Sequence, residues 1–120
     1  MTQLLIIEDN FICQQIYRSL LSDDYQLTLA ETAQQALETL TNQFFNCILL
    51  DLGLPDKRGE EILPLIRANP LHKDTTIIVI SAHVDEPLGQ QCLALGANHI
   101  YIKPILPTML RQAVENALVH

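Results

Sequence analysis

Short apolar segments alternate with longer amphipathic segments along the whole chain. The apolar segments are Leu4–Ile7, Gln26–Leu29, Phe45–Leu50, Thr76–Ile80 and His99–Ile102. Three of them are continuous in Leu, Ile and Val, which is typical of strands buried on both faces of a parallel sheet. The sequence therefore predicts five strands, of which the second is the most weakly marked.

Apolar residues recur at helical spacing between these strands and predict five helices. The stripes that share one helix face are Ile12, Ile16 and Leu20; Ala33, Ala36, Leu37 and Leu40; Ile62, Leu63 and Ile66; Leu88, Cys92 and Leu95; and Leu106, Met109, Leu110, Ala113, Val114, Ala117 and Leu118. Thr32 is predicted to cap the second helix, Gly96 to end the fourth, and Pro107 to lie in the first turn of the fifth. Pro64 predicts that the third helix either starts near it or kinks there.

Five strand–helix units predict an α/β fold, with right-handed crossovers and helices on both faces of a parallel sheet. At 120 residues, the chain is expected to form one domain, residues 1–120. Functional sites of open parallel sheets lie beyond the carboxyl ends of the strands, so the residues that follow each strand are the candidates for chemistry.

Polar side chains of the types that take part in phosphoryl chemistry follow four of the five strands. Glu8 and Asp9 follow the first strand, Asp51 the third, Ser81 the fourth and Lys103 the fifth. Each alone is commonly a turn or cap residue. Together they would place three mutually repelling carboxylates at one edge, an arrangement that a cation stabilises. Oxygen ligands without His or Cys favour Mg²⁺, lysine and hydroxyl groups contact phosphoryl oxygens, and aspartate can attack phosphorus.

Composition and charge narrow the class of protein. The chain is 48% hydrophobic and has a net charge of −7, which favours a folded domain and argues against a nucleic-acid binder or an electrostatic membrane binder. The three dispersed cysteines, the lack of a secretory signal and the lack of a membrane-spanning run lead us to expect a cytoplasmic protein with reduced thiols. The remaining acids are interpreted as solvated, among them Asp23, Asp24, Glu38, Glu60 and Glu61.

The segments that carry the strand-end residues resemble the receiver domain of two-component response regulators, including receivers of hybrid sensor kinases. The matching segments are Leu4–Asn10, Ile48–Pro55 with Gly59, Val79–Ala82, Ala94–Ala97 and Tyr101–Pro104. The resemblance covers essentially the whole chain, and the set is highly specific in this order. It implies a flavodoxin-like, doubly wound five-stranded parallel sheet in the order 2-1-3-4-5 with five helices.

The resemblance implies a role for each acidic residue. Asp51 would accept a phosphoryl group from a phosphohistidine on a histidine kinase or histidine phosphotransfer domain. Asp9 would bind Mg²⁺ directly, Glu8 partly through water, and Gly53 through its backbone carbonyl. The domain would be a signalling switch rather than an enzyme, although it promotes its own phosphorylation and dephosphorylation.

The resemblance also implies roles for the other strand-end residues. Lys103 would contact the phosphoryl oxygens and, before phosphorylation, the Asp51 carboxylate. Ser81 would move toward the phosphoryl group and Tyr101 would turn inward behind it, which makes the pair the switch. The Lys103–Pro104 peptide bond would be cis, an assignment that rests on the family alone.

The sequence departs from the family pattern at one position and leaves several questions open. Gly53 is small where the family often has a larger residue, and we hypothesise that Gly53 and His83 together tune the lifetime of the phosphorylated state. A homodimer through the fourth and fifth helices is an open alternative. The chain would be a stand-alone regulator or part of a hybrid kinase or longer regulator.

Three other functions fit the same fold less well. A phosphohydrolase of the haloacid dehalogenase type needs a second Asp two positions after its nucleophile, where this chain has Gly53. A flavin or nucleotide binder needs a phosphate loop after the first strand, where Glu8 and Asp9 would repel phosphate. A degenerate receiver that serves only as an interaction surface would not need the complete set of acidic residues, hydroxyl and lysine.

Overall fold

The computed structural model describes residues 1–119 and confirms the predicted α/β fold. The strands are β1 (Gln3–Ile7), β2 (Gln26–Ala30), β3 (Cys47–Leu50), β4 (Thr76–Ser81) and β5 (His99–Ile102). The helices are α1 (Phe11–Leu21), α2 (Ala33–Asn42), α3 (Gly59–Ala68), α4 (Glu86–Leu95) and α5 (Pro107–Leu118), with a 3-10 turn at Pro70–His72. All strand pairs are parallel, in the order β2-β1-β3-β4-β5.

The sheet register brings the carboxyl ends of the strands to one edge. Ile7 at the end of β1 is level with Leu50 at the end of β3, and Ser81 at the end of β4 is level with Ile102 at the end of β5. Strands β1, β3 and β4 are almost completely buried, as their continuous apolar runs predict. Alternate residues of these strands contribute to two cores, one beneath α2, α3 and α4 and the other beneath α1 and α5.

The predicted apolar stripe of α1 is not its main buried face, although Leu20 at the end of the stripe packs against the core. Ile12 and Ile16 are 68% and 47% exposed, whereas the buried residues of this helix are Gln14, Tyr17 and Leu21. Gln14 fixes this orientation, because its side-chain amide donates to the backbone carbonyl of Glu8 at 2.8 Å. Helix α1 therefore has apolar residues on two faces, and only one of these faces packs on the sheet.

The other helix predictions need smaller corrections. In α5, Leu110, Ala113, Val114 and Ala117 are buried, but Met109 is 44% exposed, and Leu106, the N-cap before the helix, is 60% exposed. Helix α3 begins at Gly59, five residues before Pro64, so the alternative that it starts near Pro64 is wrong. Thr32, Gly96 and Pro107 lie at the predicted helix ends. No helix among the described residues has the length and hydropathy needed to span a bilayer.

Candidate functional site

An open cavity of about 560 Å³ lies where the carboxyl ends of β1, β3, β4 and β5 meet. Five of its lining residues are ones that the sequence singled out for phosphoryl chemistry: Asp9, Asp51, Gly53, Ser81 and Lys103. Each follows or ends a strand, so the common register of the parallel sheet is what brings them together. The cavity is the candidate functional site.

Asp51 lies at the centre of this site. Its backbone N–H donates to the carbonyl of Ile7 at 3.0 Å. This bond extends the β1–β3 pairing by one residue and holds the backbone from which the side chain extends. The Ser81 hydroxyl donates to Oδ1 at 2.9 Å, and Lys103 Nζ lies 3.6 Å from Oδ2. Asp51 is only 8% exposed, yet its carboxylate faces the cavity between a hydroxyl donor and a cation.

Glu8 is completely enclosed beneath the same cavity and is paired with Lys103. Lys103 Nζ donates to Glu8 Oε1 at 2.6 Å, and the backbone N–H of Asn10 donates to Oε2 at 3.1 Å. Burial raises the pKa of Glu8, and the hydrogen bonds from Lys103 and Asn10 only partly offset this effect. For Lys103, burial acts to lower the pKa, but the hydrogen bond to Glu8 and the negative charge of Asp51 outweigh it and raise the pKa. The lysine is therefore a permanent cation of the site.

The acidic residues have the geometry of a cation site. Glu8, Asp9 and Asp51 each offer a carboxylate oxygen, and these oxygens lie within 4.8 Å of one another. Lys103 is close to two of the carboxylates, so the local charge is about −2 before any metal binds. The donors are all oxygens, which is the set that Mg²⁺ prefers, so the residues present fit this ion.

Two glycines shape the loop that follows Asp51. A Cβ on Gly59 would lie 2.7 Å from the Asp51 carbonyl oxygen and 2.8 Å from the Leu52 Cα, so only glycine fits where α3 starts against this loop. A Cβ on Gly53 would lie 3.9 Å from Asp51 Oδ2 with nothing else nearby. Gly53 therefore leaves one side of the carboxylate uncovered.

The remaining sequence-predicted residues lie around the cavity. Tyr101 is half-buried in β5 and packs against the core beneath α1 and α5. The Lys103–Pro104 peptide bond is cis. His83 is exposed and lines the cavity mouth.

Sequence reasoning missed several residues that support the site. Gln14 and Asn10 hold Glu8, and no sequence motif marks either of them for that role. Glu60, interpreted from sequence as solvated, is 8% exposed and lines the cavity, because the first turn of α3 faces the site. The sequence pattern indicates no role for Asp56, but its carboxylate accepts hydrogen bonds from α2 across the loop after Asp51.

Comparisons with known proteins agree with this geometry. Residues 4–115 match the response regulator receiver domain family. The chain is 30% identical to a probable chemotaxis protein CheY from Rhizobium etli over 94% of this chain and 89% of that protein. It is 40% identical to the transcriptional regulatory protein KdpE from Staphylococcus aureus over 95% of this chain, and it spans only 48% of that longer protein.

A solved structure supplies the same comparison in three dimensions. The receiver domain of sensor histidine kinase PA1611 from Pseudomonas aeruginosa, which has a magnesium ion coordinated in its active site cleft, is 26% identical. The TM-score is 0.89, and the alignment covers 98% of this chain and 97% of that one.

The parallel sheet, its acidic edge and the family match define a phosphoacceptor signalling domain. The chain belongs to the response regulator receiver domain family of two-component systems. Domains of this family bind Mg²⁺ in their acidic pocket and act with histidine kinases or histidine phosphotransfer proteins in a phosphorelay.

Proposed function

We propose that Asp51 is the phosphoacceptor and that it receives the phosphoryl group from a phosphohistidine. An Asp51 oxygen forms the new bond to phosphorus as the bond from phosphorus to the histidine nitrogen breaks, and that nitrogen keeps the electron pair. The observation that carries the proposal is the arrangement around the Asp51 carboxylate, with the Ser81 hydroxyl at 2.9 Å and Lys103 Nζ at 3.6 Å. These groups are placed to stabilise charge that develops on the phosphoryl oxygens.

We propose that Glu8, Asp9 and Asp51, with the backbone carbonyl of Gly53, hold the Mg²⁺ ion. When bound, Mg²⁺ supplies charge neutralisation for the phosphoryl oxygens and offsets the repulsion among the carboxylates. Lys103 orients Glu8 through the 2.6 Å hydrogen bond, and its positive charge favours the ionised form of the buried acid, which places Glu8 to act as a ligand. Ser81 orients the Asp51 carboxylate by donating to Oδ1 and leaves Oδ2 directed toward the lysine.

We propose that Ser81 and Tyr101 form the switch. The Ser81 hydroxyl already bonds the carboxylate that gains the phosphoryl group, so the new charge draws the hydroxyl and its loop with it. Tyr101 is half-buried one strand away and turns inward as that loop moves. The phosphorylated surface is thus a second state whose population one local charge controls.

We propose that the domain also hydrolyses its own aspartyl phosphate, with Gly53 and His83 setting the rate. Gly53 leaves the Asp51 carboxylate open to water on one side, and His83 lines the same opening. This hydrolysis sets how long the phosphorylated state lasts and needs no separate substrate.

We propose that the histidine-bearing partner docks on the outer face of α1 next to the cavity. Phe11, Ile12 and Ile16 are exposed there, and Phe11 is two residues from Asp9 at the cavity rim. An apolar surface that borders the phosphoryl site fits a partner that must bring a histidine ring to Asp51.

We also propose that residues 1–120 act as one receiver domain in the cytoplasm, and that α4 and α5 offer a face for a homodimer.

Phosphorylation by a small donor tests the central proposal. Acetyl phosphate with Mg²⁺ should add one phosphoryl group to the wild-type protein, detected by intact mass, and none to Asp51→Asn. The matched control is Asp23→Asn, an exposed acid on the α1–β2 connection, which should be phosphorylated like the wild type. Equal phosphorylation of Asp51→Asn would show that another residue is the acceptor.

A further inference from the structure

The loop that joins β3 to α3 is attached to α2 by one side chain. Asp56 Oδ1 accepts from the backbone N–H of Ala33 at 2.8 Å, and Oδ2 accepts from that of Gln34 at 3.0 Å. Asp56 is 23 and 22 residues away from these partners in sequence, so the contact is tertiary and joins two separate parts of the fold.

Helix α2 has an N-cap of its own, and Asp56 adds a second set of hydrogen bonds to the same helix end from a separate loop. Thr32 accepts from the Gln35 N–H at 3.0 Å, which is the ordinary N-cap bond. Asp56 accepts from the N–H groups of Ala33 and Gln34, the first two residues of the helix, where the helix dipole favours a negative charge. The hydrogen bonds from Ala33 and Gln34 lower the pKa of Asp56, as expected for a carboxylate whose ionised form is bound.

The same loop has few other polar attachments. Among residues 1–119, no other hydrogen bond joins residues 53–57 to another element. Leu52 and Leu54 anchor the loop in the core, and Gly59 N–H donates to the Leu52 carbonyl at 2.9 Å. Gly53 lies between these anchors and has no side chain to fix its own backbone.

We propose that Asp56 is a positioning residue that sets the Gly53 carbonyl for Mg²⁺ by attaching the loop to α2. Mg²⁺ demands near-ideal octahedral geometry at short ligand distances, so a loop that is free to shift binds it less well. This inference rests on the proposed role of Gly53 in the metal site and adds the side chain that maintains its position.

Magnesium affinity of the unphosphorylated protein is the direct test. Isothermal titration with Mg²⁺ should show affinity about tenfold weaker for Asp56→Ala than for the wild type, a typical effect of removing a support of a metal ligand. Asp56→Asn keeps one acceptor oxygen and should give an intermediate loss. The Mg²⁺-induced shift of the Gly53 amide resonance should shrink in the same order.

Two controls separate positioning from other effects. Thr32→Ala removes a cap of α2 without touching the loop, and Glu61→Gln removes an exposed charge at the start of α3. Both should bind Mg²⁺ like the wild type, even where Thr32→Ala and Asp56→Ala lose similar thermal stability. Unchanged affinity in Asp56→Ala, or equal loss in either control, would overturn the inference and leave the proposed function intact. A wild-type protein that binds no Mg²⁺ would overturn both.

Discussion

At the scale of single residues, the most informative feature is the uncovered side of Asp51. A Cβ at position 53 would stand 3.9 Å from Asp51 Oδ2 and would touch no other group within 4 Å. A larger side chain there therefore fits, and it would lie over the carboxylate oxygen nearest to Lys103. We propose that the residue at this position controls how easily water approaches the phosphoryl group.

We predict that Gly53→Met slows loss of the phosphoryl group by about tenfold, which corresponds to a barrier higher by roughly 1.4 kcal/mol. The physical reason is exclusion of the attacking water by the new side chain. The measurement is the half-life of the aspartyl phosphate after donor removal. Gly89→Ala in α4, where the new methyl makes only ordinary contacts, should leave the half-life unchanged. An unchanged half-life in Gly53→Met would exclude water access at position 53 as the determinant.

Arg67 connects several parts of the fold away from the site. Its guanidinium lies near the end of α3 and donates to five oxygens: the carbonyls of His72, Lys73, Thr75 and Gly96 and the side chain of Asn98. These acceptors belong to the loops before β4 and β5. Burial lowers the pKa of Arg67, with the charge of Asp74 acting against it, so the group is partly desolvated and depends on these bonds.

We predict that Arg67→Lys lowers the free energy of unfolding by about 2–3 kcal/mol, because several carbonyls lose a charged donor that a single ammonium cannot replace. Urea denaturation measures the change. Arg111→Lys is the control, since Arg111 is exposed on α5 and should shift stability by less than about 0.5 kcal/mol. Similar midpoints for the two variants would mean that the Arg67 hydrogen bonds contribute little.

At the scale of elements, helix α1 shows which features of a helix the sequence can predict and which it cannot. A stripe of apolar residues predicts which helix is amphipathic, but α1 has two such stripes. The face on the sheet is chosen by Gln14, whose amide satisfies a buried carbonyl of Glu8, and by Tyr17. Hydrophobic spacing contains no information about that hydrogen bond, so it does not show which of the two stripes is buried.

The site followed from sequence more completely than the helix faces did. The strands end where their apolar runs end, and the register of a parallel sheet then brings Asp9, Asp51, Ser81 and Lys103 to one edge. The sequence did not predict contacts between distant segments of the chain. Asp56 reaches α2 from another loop, and its role depends on a tertiary distance that local pattern cannot encode.

We predict that Ile16→Asp slows phosphoryl transfer from a phosphohistidine partner by about tenfold and leaves transfer from acetyl phosphate unchanged. A carboxylate in the apolar outer face of α1 would be buried unpaired in the complex, and a loss of about 1.4 kcal/mol in binding gives this factor. The measurement is the rate of phosphorylation by each of the two donors, with the receiver at a concentration low enough that binding of the partner limits the rate.

Leu65→Asp is the matched control for the α1 surface. Leu65 is 49% exposed on α3 and Ile16 is 47% exposed, so the two substitutions change similar amounts of apolar surface. Leu65→Asp should leave both donors unaffected. A slower reaction of Ile16→Asp with both donors would place the damage in the site itself rather than in partner docking.

At the scale of the whole molecule, we expect the repulsion among the three carboxylates of the site to oppose folding until a cation binds. Glu8 and Asp9 follow β1, whereas Asp51 follows β3. Folding therefore brings Asp51 close to two acids that are far from it in the unfolded chain. Lys103 compensates only part of this repulsion. A ligand that binds only the folded arrangement must therefore stabilise it by mass action.

We predict that Mg²⁺ at ten times its dissociation constant raises the free energy of unfolding by about 1.4 kcal/mol and the melting temperature by roughly 5 °C, and that EDTA reverses the rise. Asp9→Asn should lose most of the increase, whereas Asp23→Asn, an exposed acid outside the site, should keep it. The comparison is needed because the chain carries a net charge of −7, which any dication partly screens. An equal increase in Asp9→Asn would mean that Mg²⁺ acts on the overall charge and that the three carboxylates do not form a binding site.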